Sequence, residues 1–164
     1  MALMTRAATI PPFERFYVQH RDEVLGYLRR LLGQRAEDAW QETFLRALRA
    51  YDRLEHGRHL RAWVFTIATR VAMDELRSKS TDQLSLDGSG VPEPEAPELR
   101  RPAYRQLEHL AGTLPPTERA AVVLRYAYDL AYDDIALALD STPEAARQAA
   151  SSGVRRLRAE RIRS

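Results

Sequence analysis

The sequence predicts an all-α protein of two small helical domains joined by a proline-rich linker, the C-terminal domain being a helix-turn-helix. Three observations predict this. Apolar residues recur at three- and four-residue spacing in both halves of the chain. No run alternates polar and apolar residues as a half-buried strand would. Between the halves, residues 88–102 hold four of the nine prolines and show no apolar period.

The N-terminal domain is predicted at residues 10–79, as three helices that share one core. The first helix begins at Phe13 and stops at Gly33. The second helix carries an apolar face that consists of Ala36, Trp40, Thr43, Phe44, Ala47, Leu48 and Tyr51. The third helix carries another, made of Leu60, Trp63, Val64, Ile67, Ala68 and Val71, and its opposite side holds Thr66, Arg70, Met73 and Arg77.

Residues 80–103 are predicted to form the linker. The prolines spaced through this segment disfavour collapse and keep a chain extended. The two flanking domains are therefore expected to be separate modules on a semi-rigid tether.

The C-terminal domain is predicted at residues 104–164. A short helix is expected to stop before Pro115, and a second, which Thr117 and Glu118 can cap, runs to about Tyr128. A third covers 132–139, and Thr142 caps the last helix. The outer face of that last helix is polar and rich in arginine: Glu144, Arg147, Gln148, Ser151, Arg155 and Arg158. Two helices joined by a short turn, the second with such a face, are typical of a DNA-binding helix-turn-helix.

The composition and charge of the chain limit the classes of protein to which it can belong. The chain has 164 residues, 29% of them charged and none of them cysteine. No apolar run is long enough to cross a membrane and no secretory signal opens the sequence, so we expect a cytoplasmic protein without membrane insertion. The two ends are net basic and the middle is net acidic; among 25 basic residues only Lys79 is a lysine. Arginine suits phosphate and base recognition, although a GC-rich genome would also explain its abundance.

The sequence gives little support to an enzyme, a cofactor site or a metal site. His56 and His59 lie close to Glu55, but a structural metal site requires further ligands. Asp133 and Asp134 are adjacent and point to different sides of a short helix, which does not suit an acid and base pair. Glycine-rich phosphate loops are absent from the sequence. No catalytic residue, cofactor or metal is therefore expected.

Three segments, in order, resemble one family. They are residues 36–54, AEDAWQETFLRALRAYDRL; residues 60–77, LRAWVFTIATRVAMDELR; and residues 114–139, LPPTERAAVVLRYAYDLAYDDIALAL. The chain thereby resembles the extracytoplasmic-function group of sigma factors, the two-domain initiation subunits of bacterial RNA polymerase. The resemblance covers nearly the whole chain apart from its first dozen residues and the linker. It implies an N-terminal domain that binds core RNA polymerase and the melted minus-ten element, and a C-terminal domain that reads the minus-thirty-five element of promoter DNA.

The resemblance also suggests candidate site residues. Those for polymerase binding are Glu37, Asp38, Gln41 and Glu42. Those for the minus-ten element are Arg58, His59, Arg61, Trp63, Arg70 and Arg77, where residues 54–59 resemble the family's specificity loop. Those for the minus-thirty-five element are Thr142, Glu144, Arg147, Gln148, Ser151 and Arg155. Trp63 lies on the apolar stripe, so a core role is weighed above a role in stacking on bases.

The sequence departs from the family pattern in two places. Trp40 stands where a small aliphatic residue is usual, which would either alter the polymerase contact or enlarge the core. Ala145, Ala149 and Ser152 stand where relatives often carry threonine or additional cations. Either the upstream contact is weak or a protein partner occupies part of this domain.

The leading hypothesis is a sigma factor without catalytic activity, held inactive by an anti-sigma protein. Control by expression level alone is the alternative to that partner. The main alternative function is a helix-turn-helix regulator that binds duplex DNA without polymerase, and a structural helical adaptor comes third. Binding to core polymerase discriminates the first two hypotheses.

Overall fold

The computed structural model describes residues 9–83 and 113–163, and every regular element within these ranges is helical. The predicted all-α class is confirmed. The predicted helix before Pro115 lies outside the described residues except for Thr113 and Leu114, and so does almost all of the predicted linker.

The N-terminal unit, residues 9–83, contains three helices: α1 (Phe13–Leu32), α2 (Ala36–Tyr51) and α3 (Leu60–Gln83). A 3-10 turn, Gly33–Arg35, joins the first two. Gly33 has a φ of 61°, in the left-handed region, and its backbone N–H donates to the carbonyl oxygen of Arg29. A side chain at this position would be strained, so the glycine ends α1 as predicted.

The core of this unit lies between α1 and the two other helices. Phe16, Tyr27 and Leu28 of α1 are fully buried, as are Val64 and Phe65 of α3. Removal of these large apolar side chains from water is the main stabilising contribution to such a bundle.

The predicted core differs from the structure at three residues. Leu48, predicted in the core, is 50% exposed, because it follows Ala47 and therefore points about 100° away from that buried side chain. Met73, predicted on the side of α3 opposite the apolar stripe, is half-buried, and Phe65, which is outside the predicted stripe, is fully buried. Helix α3 packs against α1 and α2 on one side and against the C-terminal half on another, so it has no single apolar face.

The C-terminal unit, residues 113–163, contains α4 (Pro116–Val122), a π-helical turn (Val123–Ala127), α5 (Tyr132–Ala138) and α6 (Pro143–Arg163). Helix α4 begins at Pro116 after Pro115, and no side chain caps it, so the prediction that Thr117 caps it is wrong. Proline needs no N–H partner in a first turn, which explains the start. The predicted helix to Tyr128 is α-helical only as far as Val122.

The helix-turn-helix itself follows the prediction. The Oγ1 of Thr142 accepts a hydrogen bond from the backbone N–H of Ala145 at 3.1 Å, which is the expected cap of α6. On the opposite side of α6, Ala146 and Ala150 are buried, and Val154 and Leu157 are half-buried. Helices α4 and α6 approach closely at Gly153, where a Cβ atom would lie 2.5 Å from Cγ2 of Val122.

The two units pack against each other. The ring of Tyr128 lies 5.7 Å from that of Tyr27 and 5.1 Å from that of Phe65, centroid to centroid. Its hydroxyl oxygen accepts a hydrogen bond of 2.5 Å from Nη1 of Arg30. Nη1 of Arg119 donates to the carbonyl oxygen of Leu31 at 3.0 Å. The sequence predicted separate modules; in the structure, buried residues of both units belong to one hydrophobic cluster.

Candidate nucleic-acid interface

The outer face of α6 is an exposed polar strip. Five residues of this strip are exposed and line an open groove together with Tyr126: Arg147, Gln148, Ser151, Arg155 and Arg158. These positions recur every three to four residues, so their side chains share one face of the helix. Guanidinium, amide and hydroxyl groups on one exposed helical face match the hydrogen-bonding groups on the edges of base pairs in the major groove.

Two residues predicted for the same face have different surroundings. The side-chain oxygen of Thr142 is engaged as the cap of α6. Glu144 is exposed in the first turn, where its negative charge suits the positive end of the helix dipole but not a phosphate. Arg155 donates from Nη2 to Oγ of Ser152 at 3.1 Å, which holds it along the helix.

Two tyrosines, Tyr126 and Tyr132, lie beside α6, and the sequence analysis predicted neither of them there. Tyr126 is 61% exposed beside the strip, and Tyr132 packs against Arg147, whose Cζ lies 5.1 Å from the ring centroid. Tyr126 lies in the π-helical turn, which changes the direction of successive side chains relative to an α-helix. An α-helical pattern therefore could not place it on this side.

The exposed face of α2 combines acidic and apolar side chains. Glu37, Asp38 and Gln41 are exposed as predicted. Glu42 is half-buried, and its Oε1 accepts a hydrogen bond of 2.9 Å from Nε of Arg46. The same face continues with two leucines that sequence analysis did not assign to it, Leu45 (47% exposed) and Leu48 (50% exposed).

Of the six residues predicted to bind the minus-ten element, four are exposed and two, Arg61 and Trp63, are half-buried. Arg58, His59, Arg70 and Arg77 are exposed. His59 adopts a φ of 58°, and its carbonyl oxygen accepts a hydrogen bond from the N–H of Trp63, so it marks the start of α3. Arg77 is bonded at 2.6 Å to Oδ1 of Asp74, and Arg70 reaches the carbonyl oxygen of Leu137 at 3.5 Å.

Arg61 lies between the two units. It forms an ion pair with Glu23, in which Nε donates to both carboxylate oxygens, at 2.9 Å and 3.1 Å, and Nη2 donates to Oε1 at 2.5 Å. The same Nη2 donates to the carbonyl oxygen of Tyr128 at 2.7 Å. The neighbouring His20 is buried, which lowers the pKa of its imidazole; Glu23 opposes and Arg61 adds to that shift.

Both tryptophans contribute to packing. Trp63 is half-buried, and its ring lies 5.7 Å from Phe16 and 6.3 Å from Tyr51, which agrees with the core role weighed first. Trp40 packs 5.6 Å from Phe44 and donates from Nε1 to the carbonyl oxygen of Arg21 at 3.0 Å. It therefore enlarges the contact between α1 and α2.

Within residues 9–83 and 113–163, no group of three or more histidine or acidic side chains is placed to hold a metal ion. Nδ1 of His56 accepts a hydrogen bond of 3.2 Å from the backbone N–H of Arg58. In the same ranges, no helix has both the length and the apolar character to cross a membrane.

Comparisons with known proteins match both units. The family model "Sigma-70 region 2" matches residues 16–81, and "Sigma-70, region 4" matches residues 104–157. RNA polymerase sigma factor CarQ of Myxococcus xanthus is 33% identical over 155 residues, which are 89% of this chain and 87% of CarQ. ECF RNA polymerase sigma factor SigE of Mycolicibacterium smegmatis is 30% identical over 141 residues, 80% of this chain; the chain spans only 54% of SigE.

The fold matches a solved structure as well. Sigma factor RpoE in complex with the anti-sigma factor NepR, from Bartonella quintana, superposes with a TM-score of 0.76 at 21% identity, covering 88% of this chain and 93% of RpoE. Sigma factors of this family are non-enzymatic initiation factors of transcription. With both regions matched in order and with the similarity to CarQ along most of its length, the protein belongs to the extracytoplasmic-function group of RNA polymerase sigma factors.

Proposed function

We propose that this sigma factor reads the minus-thirty-five element with the outer face of α6. The observation that carries the proposal is the exposed strip from Arg147 to Arg158, presented by a helix that Thr142 caps. Arg147, Gln148 and Ser151 lie in the first half of α6, the part of a recognition helix that enters the major groove. The later arginines, Arg155 and Arg158, are suited to phosphates.

We propose that α2 docks onto core polymerase through a surface of five residues: Glu37, Asp38, Gln41, Leu45 and Leu48. Its acidic end complements a basic partner surface, which favours association and fixes orientation. Its two half-exposed leucines supply apolar area that gains stability only when a partner covers it. Glu42 lies beside this surface and contributes indirectly. Its carboxylate accepts a hydrogen bond from Arg46 and so orients that side chain along α2.

For the minus-ten element, we propose contacts from four exposed residues: Arg58 and His59, directly before α3, and Arg70 and Arg77, within it. A basic surface beside a loop suits a single strand with unstacked bases. Trp63 supports this surface from the core. Arg61 would contribute only after the C-terminal unit moves away, since it now bonds to Tyr128.

We further propose that the chain has no catalytic activity, acts in the cytoplasm and is controlled by an anti-sigma protein. The structural relative RpoE was solved with the anti-sigma factor NepR, which supports a partner of that class. Such a partner would cover the docking surface on α2 or the strip on α6.

The proposal is tested by transcription in vitro with core polymerase on a promoter library randomised in the upstream and downstream elements. Wild-type protein is expected to select defined sequences at both. Arg147→Ala and Gln148→Ala should each lose about 1–3 kcal/mol of discrimination, confined to the upstream element. Arg15→Ala, an exposed arginine of α1, is the matched control and should select as wild type does.

Two outcomes would contradict the proposal. Equal losses on promoters with a scrambled upstream element would show that α6 does not read it. Specific promoter binding by the free chain, as tight as that of the polymerase complex, would favour a regulator that needs no polymerase.

A further inference from the structure

We infer that Tyr132 is a positioning residue for recognition of the upstream element, because its ring holds the guanidinium of Arg147 in place for base contact. Tyr132 is the first residue of α5, whereas Arg147 lies in the second turn of α6. The inference rests on the proposed role of Arg147 and names a residue, outside the recognition helix, on which that role depends.

The geometry is a three-residue stack. Cζ of Arg147 lies 5.1 Å from the centroid of the Tyr132 ring, and Cζ of Arg125, from the π-helical turn, lies 4.6 Å from the same centroid. Both distances are within the range in which a guanidinium is attracted to an aromatic ring. One half-buried ring thus links the π-helical turn, α5 and α6.

The ring is held by a fixed neighbour. Arg125 is half-buried, and its Nη1 donates to the carbonyl oxygen of Leu130 at 3.0 Å. A guanidinium anchored in this way restricts the ring of Tyr132, which in turn restricts Arg147. The order of support therefore runs from the backbone through Arg125 and Tyr132 to the exposed arginine.

The ring of Tyr132 is the main contact that restricts the side chain of Arg147 in the part of the chain that the structure describes. Its side chain is exposed, and within the part of the chain that the structure describes no carboxylate forms an ion pair with it. An exposed arginine loses considerable rotamer freedom when it binds. Contact with the ring reduces that loss beforehand, while the N–H groups around the edge of the guanidinium remain available for a bidentate contact to a base. The base that best accepts such a contact is guanine, through O6 and N7.

The experiment compares Tyr132→Leu, Tyr132→Phe, Arg147→Ala and the double variant Tyr132→Leu/Arg147→Ala. Each is assayed with core polymerase on promoters randomised in the upstream element. Arg147→Ala should flatten the preference at one or two positions. Tyr132→Leu should reduce the preference at the same positions by about two- to fivefold, the range of an exposed cation–π contact, and should add no further loss in the double variant. Tyr132→Phe keeps the ring and should retain the wild-type preference.

A second measurement on the free, full-length protein does not depend on transcription. The side-chain Nε–H signal of Arg147 in the NMR spectrum should be shifted by the ring current of Tyr132. The shift should disappear in Tyr132→Leu and persist in Tyr132→Phe. Its absence in the wild-type protein would overturn the inference, even if the leucine variant folds poorly.

The transcription outcomes separate the two proposals. If Arg147→Ala flattens the preference and Tyr132→Leu does not, the inference alone falls. A loss in Tyr132→Leu that is equal on scrambled upstream elements would make Tyr132 merely structural and also overturn it. If Arg147→Ala leaves every preference intact, Arg147 is no reader and both proposals fail.

Discussion

The hydroxyl of Tyr27 is fully buried in the N-terminal unit and bonded at 2.7 Å to Oγ1 of Thr69. Because the Thr69 hydroxyl itself donates to the carbonyl oxygen of Phe65, Tyr27 is the donor in this pair. Burial raises the pKa of the phenol well above its usual value of 10.0, since an ionised oxygen here would be desolvated. The folded protein therefore keeps this proton at a pH at which the unfolded chain releases it.

That difference predicts a stability that depends on pH in the alkaline range. The contribution is fully present below pH 10 and is lost as pH rises above it, because the unfolded state then binds fewer protons than the native state. The free energy of unfolding should fall by up to about 1.4 kcal/mol per pH unit more in the wild type than in Tyr27→Phe. Urea unfolding between pH 8 and 11 measures both curves. Parallel curves would contradict the prediction.

Gly153 allows α6 to pack closely against α4. Alanine normally stabilises a helix relative to glycine, but a Cβ here would lie 2.5 Å from Cγ2 of Val122 and 3.4 Å from the carbonyl oxygen of Glu118. The clash requires α4 and α6 to move apart, although Arg156 and Glu118 form an ion pair between them, with 2.9 Å from Nε to Oε2.

Gly153→Ala is therefore expected to destabilise the protein by about 1–3 kcal/mol, the usual effect of overpacking. Thermal and urea unfolding would measure this. Ser151→Ala, two residues earlier on the exposed face, is the control and should leave stability nearly unchanged. An unchanged or higher stability of the Gly153 variant would show that the helices separate without strain.

At the scale of elements, amphipathic spacing predicted the helices well where one side alone is buried. Helix α1 begins at Phe13 and ends before Gly33, and α6 is capped by Thr142, as the sequence indicated. The pattern failed where a helix is covered on two different sides or changes its turn. Helix α3 is covered on two sides, and nothing in an apolar period reveals the π-helical turn after Val122.

The candidate sites also combine features that helical periodicity predicts with contacts that it does not. Exposure of the strip on α6 and of Glu37, Asp38 and Gln41 on α2 could be predicted from helical periodicity. The partners of Arg61 and Tyr132 could not, because each contact joins segments distant in the chain or separated by a turn. Leu48 was missed because an apolar residue beside an apolar face is assigned to the core by default.

The two exposed leucines of α2 give a prediction that separates binding from stability. In Leu45→Ala/Leu48→Ala, the free energy of unfolding should change little, because both side chains are about half exposed. Affinity for core polymerase should fall about tenfold or more, the loss of about 1.4 kcal/mol of apolar contact. Competition for core enzyme measures this; Val18→Ala, a 59% exposed valine of α1, is the control.

Reversal of charge at Asp38, in this surface, and at Glu42, beside it on α2, should weaken binding to core polymerase while helicity stays normal. Normal helicity with wild-type affinity for core enzyme, in these variants and in the leucine pair, would show that polymerase binds elsewhere.

At the scale of the whole molecule, the packing of the two units conflicts with simultaneous binding to both promoter elements. Centres of elements near minus ten and minus thirty-five are about 25 base pairs apart, or about 85 Å at about 3.4 Å per base pair. Units joined through Tyr128 and Arg30 are in direct contact. The 29 residues between the described ranges can span at most about 104 Å when fully extended, which allows the units to separate far enough.

We therefore expect the units to separate when polymerase and promoter bind. Absence of cysteine from the sequence permits clean labelling at Val18→Cys and Ala159→Cys, both exposed. Energy transfer between dyes should be high in the free protein and fall in the promoter complex. In Tyr128→Ser, which loses the ring contacts with Tyr27 and Phe65, it should already be lower before binding. Equal transfer in all three samples would contradict a contact that must open.

The π-helical turn holds one extra residue without changing the direction of the chain that follows it. A π turn accommodates one more residue than a turn of the α-helix around it, and each residue of an α-helix advances the side-chain direction by about 100°. Deleting one residue between Val123 and Ala127 would therefore restore a regular helix and leave Tyr128 facing Tyr27 and Phe65. One residue added to the regular turns of α4 would instead rotate Tyr128 away from both rings. A change of one codon at that place could thus uncouple the units while every exposed residue of α6 stays intact, a route by which relatives could differ in how tightly they close without any change in the sequences they recognise.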